Sequence, residues 1–318
     1  MAAAGRHDTG RYCVVFSLRF EQYVQRREQE ALAAALPPYE TVTDRAGAHM
    51  RRIASPWTEA LFDGAFYRSA SPAQPGLPIV NLVFVRSREG NTIAATPQLL
   101  GGGHTDKHLI YEGLSRVDAD AVLSGATTAR ARSLVLSVWH PELVKLRLSL
   151  GKPRHPMQVV VTSAGDLHFD EGLMFQEPDL RACLMAPSSA VVQLRDRAAK
   201  TPWVEVIDAG QPLSMRRGLQ QLAARGVAVV TAIGGRRTAQ SLIEERTVTD
   251  LYLTTSPISA GQPDTPFYAG PDLPVDLVVE KRGTGPETGV RFEHLRVRGA
   301  AKDEGNGLTV RLERPRRQ

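Results

Sequence analysis

The residues best suited to chemistry stand where short apolar runs end. "VAVVTAI" gives way to Gly234, Gly235, Arg236, Arg237 and Thr238, "ADAVLS" to Gly125, Ala126, Thr127 and Thr128, and "QVVVT" to Ser163. A glycine pair lets the backbone approach a pyrophosphate, and the amides that then open a helix attract anions. Arg236 or Arg237 would add a charge-assisted contact to a 2′-phosphate. Taken alone, the pair reads first as a tight strand-to-helix turn with both arginines in solvent, and the Gly125 loop as an ordinary capped turn. Their joint occurrence at the ends of two strands favours one crevice lined by both loops.

Other chemistries find less support. His104 and His108 share a helix face at four-residue spacing, which allows a metal pair or simply a loop histidine and a solvated one. The two cysteines, Cys13 and Cys183, stand apart from each other and from histidines at ligand spacing, so no metal site is expected and a reducing, cytoplasmic setting fits. There is no Gly-x-Ser-x-Gly elbow and no P-loop, so acyl transfer and nucleotide hydrolysis lack a motif.

These loops need a sheet to hold them. "IVNLVFV", "ADAVLSG", "MQVVVTS", "RACLMAP", "VAVVTAI" and "LYLTTSP" read as buried strands, and "TDKHLIYEGLSRVD", "LSMRRGLQQLAARG" and "TAQSLIEER" as helices between them. The alternation predicts an α/β fold with a mostly parallel sheet. "VDLVVEKRGTGPETGVRFEHLRVRG" breaks it with an antiparallel hairpin placed at the sheet edge, which makes the sheet mixed. Ahead of this, residues 1–75 read as a helical extension: one helix within "FEQYVQRREQEALAAAL", and a short one capped by Ser55 with Pro56 at its first position. Residues 76–300 then form the main domain and 301–318 a basic tail.

Composition sets limits on partners. The excess of 39 Lys+Arg over 34 Asp+Glu gives +5, a mild positive field that supports nucleic-acid binding only weakly, suits phosphorylated small molecules as well, and does not by itself separate the two. No run of about 18 apolar residues appears, so no membrane span is expected.

The order of these motifs resembles the reductase family of riboflavin biosynthesis, the C-terminal domain of the bifunctional deaminase-reductase. The resemblance runs from about Ile79 to Arg298 through "IVNLVFVRSREGNTIA", "LSRVDADAVLSGATTAR", "HPMQVVVTSAG", "AIGGRRTAQSLIEERTVTDLYLTTSPISAG" and "GVRFEHLRVR". It implies a dihydrofolate-reductase-like fold, a homodimer, and an NADPH-dependent reductase that passes hydride to a ribosylamino-pyrimidine or a related small heterocycle. It also implies NADPH contacts from Gly125, Thr128 and Gly235 through Ser241, with Ser163 toward the adenosine. Ser87, Glu89, His104 and Asp106 fall on the substrate side, with Glu89 as the proton relay or a solvated turn acid. The chain departs from the family pattern at Ser87-Arg88-Glu89-Gly90, which lengthens a Ser-x-Asp-Gly motif. It departs again at Ile233 and Arg132, which stand where the family carries carboxylates. A non-catalytic nucleotide-binding protein and a pterin or folate reductase are the alternatives.

Overall fold

The structure is a computed structural model that describes residues 9–298 apart from 132, 164, 166 and 169. Arg132 and the basic tail therefore lie outside the described residues.

Among the described residues, twelve strands are interspersed with helices. They are β1 (Tyr39–Asp44), β2 (Met50–Ile53), β3 (Phe66–Ser69), β4 (Ile79–Arg86), β5 (Ala121–Gly125), β6 (Met157–Val161), β7 (Ala182–Ala186), β8 (Val204–Asp208), β9 (Val229–Ile233), β10 (Asp250–Thr255), β11 (Val275–Gly283) and β12 (Arg291–Val297). Ten of them form one sheet in the order β1-β11-β12-β10-β4-β9-β5-β6-β7-β8, and β2 pairs with β3 separately. From β10 to β8 every neighbouring pair is parallel, while β12, β11 and β1 are added antiparallel. The mixed, mostly parallel α/β sheet expected from the sequence is what forms.

The strand alternation sends side chains to two layers. Val80, Leu82 and Phe84 of β4 pack with Leu219 and Leu222 of the helix Met215–Ala223 and with Ala239, Leu242 and Ile243 of the helix Arg236–Glu244. Val83 of the same strand joins Leu109, Ile110 and Leu114 on the opposite face. Consequently β4 hands its chain to one face and its neighbour β9 hands its chain to the other. A crevice opens at the carboxyl ends of such a pair, where the connections part.

Several elements differ from the sequence reading. The segment "TDKHLIYEGLSRVD" was expected as an ordinary helix, yet Asp106–Leu114 winds as a π-helix with Gly113 at φ −127°, ψ −107°. Strand β8 and the helices Pro141–Ser149 and Ser188–Ala198 were not anticipated. β8 is short and half-exposed, so it lacks the continuous apolar run of its neighbours. The hairpin β11–β12 is not the sheet edge: β1 lies outside it, from within the segment read as a helical extension. Its β-branched "TVT" suits an edge strand. The buried Lys281 ammonium pins it by donating to Thr41 Oγ1 at 2.6 Å and to the Asp63 carbonyl at 2.8 Å.

The segment read as a helical extension carries two helices but also β1, β2 and β3. In α2 (Pro56–Phe62) Ser55 Oγ accepts from the Thr58 amide and Thr58 Oγ1 accepts from the Ser55 amide, so both cap donors are satisfied. α1 (Thr9–Ala33) buries Phe20, Tyr23 and Ala31 against Val135, Trp139, Leu173 and Leu180. Among the described residues no helix is long and apolar enough to cross a membrane.

Candidate active site

The loops after β9 and β5 meet at Thr238. Gly234 (φ 62°) and Gly235 (φ 82°, ψ 97°) both hold the left-handed backbone that side chains resist, and Gly235 caps the nine-residue helix Arg236–Glu244. A β-carbon at Gly125 would stand 3.2 Å from Thr238 Oγ1, and one at Gly235 would stand 3.4 Å from it. The missing side chains thus leave a hollow floored by the Thr238 hydroxyl and roofed by nothing at Gly234, whose β-carbon would meet no atom within 4 Å. The helix that opens here has first-turn amides with no intrahelical partner, which is a physical basis for holding a phosphate.

The other residues expected there are placed unevenly. Thr127 is exposed and Thr128 half-buried on the helical turn Ala126–Ala129, while Ser163 is exposed two residues beyond Val161, the partner of Gly125. Arg236 donates from Nε to the Pro266 carbonyl at 2.7 Å, which ties it to the loop after β10, and Arg237 is exposed on the helix. Ile233, where a carboxylate would stand in the family pattern, is buried in the apolar layer with Val83 and Val122.

On the substrate side, Ser87 is fully buried and its hydroxyl is spent within its own turn: it donates to Glu89 Oε2 at 3.1 Å and accepts from the Asn91 amide at 3.3 Å. Glu89 is exposed and also accepts from Ser259 Oγ, so it staples the loop after β4 to the loop after β10. That hydrogen bond is the main cause that lowers its carboxyl to about 2, with Ser87 and Arg88 assisting. A carboxyl held there stays ionised near neutral pH, which favours the solvated turn acid of the two readings given to Glu89 above. Removing the hydroxyl with Ser259→Ala is expected to return the Glu89 midpoint toward the ordinary carboxylate range. A carbon-13 NMR titration reads this directly. Because the group is depressed in the fold, what it adds to stability is present above its ordinary value and lost as pH falls through about 2.

Asp106 behaves in the opposite way. It is buried at the start of the π-helix, accepts a hydrogen bond from Thr254 Oγ1 of β10, and lines a narrow cleft with Val85, Gln98, Gly102, Lys107 and Tyr111. Burial pushes its carboxyl up to about 7; the Thr254 bond opposes this and the nearby Glu287 charge adds to it. Glu287, from the β11–β12 loop, accepts from the Thr105 amide at 3.0 Å. His104 is exposed and its ring stacks on that of His108 at 6.2 Å.

Sequence reasoning missed Thr254, Glu287, Ser259 and Gly102. The run Gly101-Gly102-Gly103 was the available signal. A β-carbon on Gly102 would lie 2.8 Å from Asp106 Oδ2 and 2.9 Å from Val85 Cγ2, and one on Gly103 would lie 2.5 Å from Glu287. Only bare backbone lets the loop close over both carboxylates. Gly102→Ala is therefore expected to cost about 1–3 kcal/mol through overpacking, visible as a lower urea midpoint, and to displace Asp106.

The sequence profile of the RibD C-terminal domain matches residues 97–285, well over half of the chain. The chain belongs to the RibD C-terminal domain family. Both glycine loops of this RibD-type chain, Asp106 and the π-helix lie inside the matched residues; α1, β1 and Glu287 lie outside. Solved structures agree on the fold. A pyrimidine reductase-like protein from Corynebacterium diphtheriae superposes with TM-score 0.55 at 20% identity, over 70% of this chain and 92% of that one. RibD from Acinetobacter baumannii gives 0.53 at 16% identity, over 70% of this chain and 59% of that longer one. The riboflavin biosynthesis reductase Rib7 of Saccharomyces cerevisiae gives 0.50 at 15% identity, over 71% and 92%. Among curated proteins no sequence matches the chain.

Proposed function

We propose that this RibD-type chain is an NADPH-dependent reductase acting on a ribosylamino-pyrimidine or a related small heterocycle. The observation that carries the reading is that the carboxyl end of the sheet carries both a hollow where two glycine loops close on one threonine and a buried acid. The hollow is built from Gly125, Gly234, Gly235 and Thr238 at the ends of β5 and β9. The acid, Asp106, is bonded to Thr254, whose strand neighbour is Val85 of β4. β4 lies directly beside β9.

The residues present fit a dinucleotide. The amides that follow Gly235 and the hydroxyl of Thr238 would hold its phosphates, with Gly125 giving close approach on the far side. When bound, NADPH supplies the hydride, and the protein's own work is alignment and proton supply. Hydride addition leaves the reduced atom's partner in need of a proton. Asp106, itself buried beside the cleft, holds one below about pH 7.

Adding NADPH and the ribosylamino-pyrimidine to the protein is expected to consume the nicotinamide absorbance, with a parallel titration showing NADPH bound in preference to NADH. Failure to bind either nucleotide overturns the reading. The burial of Ile233 among aliphatic side chains favours a second reading in which the substrate differs or turnover is lost. Turnover with dihydropterins, or binding without turnover on any pyrimidine or pterin, would select between those two. The reading includes a homodimer, tested by sedimentation against the 34.7 kDa of one chain.

A further inference from the structure

We infer that α1 is a positioning element of the active site: Arg27 holds the π-helix in the winding that aims Asp106 at the cleft. The inference rests on the role given to Asp106 above, but its structural basis is independent of the cofactor.

A π-helix is a rare, less favourable winding that carries one residue more per turn than an α-helix, and it persists where surrounding contacts impose it. Relaxing it to α-geometry would turn the residues on one side of the change by about 100° relative to those on the other. Asp106, Lys107 and Tyr111 all line the cleft from this one element, so such a turn would change how they face it together.

The extension ties both ends of the segment. At the start, Thr105 Oγ1 donates to the Pro37 carbonyl at 2.9 Å, just beyond α1. Next to it the buried Tyr39 ring packs near Asp106 and Glu287, and its hydroxyl lies far above its usual range through burial and then those two charges. Toward the end, Arg27 Nη2 donates to Glu112 Oε1 at 2.5 Å, where both side chains are largely buried. The other Glu112 oxygen faces His108 Nδ1 at 3.5 Å. Arg27 also lies over the Trp139 ring and bonds Glu30, so it is fixed in α1 by its own neighbours. None of Arg27, Pro37 and Tyr39 falls within the residues that the family profile matches.

The test uses the full chain with Arg27→Met combined with Glu112→Leu, which removes both partners of the tie together, and Arg27→Lys as the conservative variant. The readouts are the Asp106 midpoint by carbon-13 NMR, kcat as a function of pH, and the NADPH dissociation constant. The double variant is expected to move the Asp106 midpoint down and lower kcat at least about tenfold, with NADPH affinity unchanged because the glycine hollow lies on other loops. Arg27→Lys is expected to restore most of both. An unchanged midpoint and unchanged pH profile in a folded double variant would overturn the inference, as would an equal loss in Arg27→Lys. If the wild-type protein proved to reduce nothing while the midpoint still moved in the double variant and returned with lysine, the positioning role would stand and the reductase reading would fall.

Discussion

Replacing Asp106 by asparagine is expected to lower kcat by about 10²–10⁴-fold, the range set by a positioned proton donor, while NADPH binding stays within about twofold. Asparagine keeps the shape and an acceptor for Thr254 Oγ1, so the cleft remains intact, but it holds no transferable proton. The wild-type rate should be level below about pH 7, where the Asp106 carboxyl is protonated, and should fall about tenfold per pH unit above it. Stability provides a second reading of the same group. A carboxyl raised from 3.8 to about 7 favours the fold in its protonated form, so that contribution is fully present below 3.8 and lost as pH rises through about 7. Urea unfolding across that window should show wild type losing ground to Asp106→Asn as pH rises. A flat wild-type rate through pH 9, or a variant as active as wild type, would remove Asp106 from the chemistry.

Gly235→Val is the second large effect, and it falls on the other half of the site. A branched side chain at φ 82°, ψ 97° costs about 1–3 kcal/mol in backbone strain, and its β-carbon would stand 3.4 Å from Thr238 Oγ1 inside the anion hollow. The NADPH dissociation constant should rise by about tenfold to a hundredfold, measured by fluorescence titration. Circular dichroism should remain that of the folded protein, because Gly235 caps a helix whose apolar face stays buried. A folded variant that binds NADPH normally would show that the glycine pair is only the tight turn it resembles when read alone.

Together the two substitutions separate binding from proton supply. Gly235 and Gly125 converge on Thr238 from the β9 and β5 loops, whereas Asp106 is held by Thr254 from β10 and by Gly102 from its own loop. The two clusters share an edge of the sheet but no side chain, so effects at one should not appear as equilibrium changes at the other.

Much of this could be read along the chain. Continuous apolar runs such as "IVNLVFV" and "VAVVTAI" identify parallel strands buried on both faces, and a small residue after each run marks where a ligand can approach. The glycine pair and the loop at Gly125 were therefore visible as local chemistry, and so was Ser55 as a helix cap. The π-winding of Asp106–Leu114 was not, because its apolar pattern differs from that of an α-helix by a single inserted residue. β8 was missed since "VEVID" is half-exposed, and β1 since an edge strand needs only modest hydrophobicity.

Sequence by itself determined the type of sheet and the glycine loops offered at its carboxyl edge, because these follow from periodicity and from the geometry that glycine alone tolerates. Only the tertiary structure decided which acid holds a proton. Glu89 and Asp106 are both acids downstream of β4, but Glu89 meets solvent and a serine hydroxyl while Asp106 is enclosed beside Glu287, contributed from about 180 residues further along the chain. Burial and the company of a second carboxylate are properties of the packed molecule, and they set the two acids at about 2 and about 7.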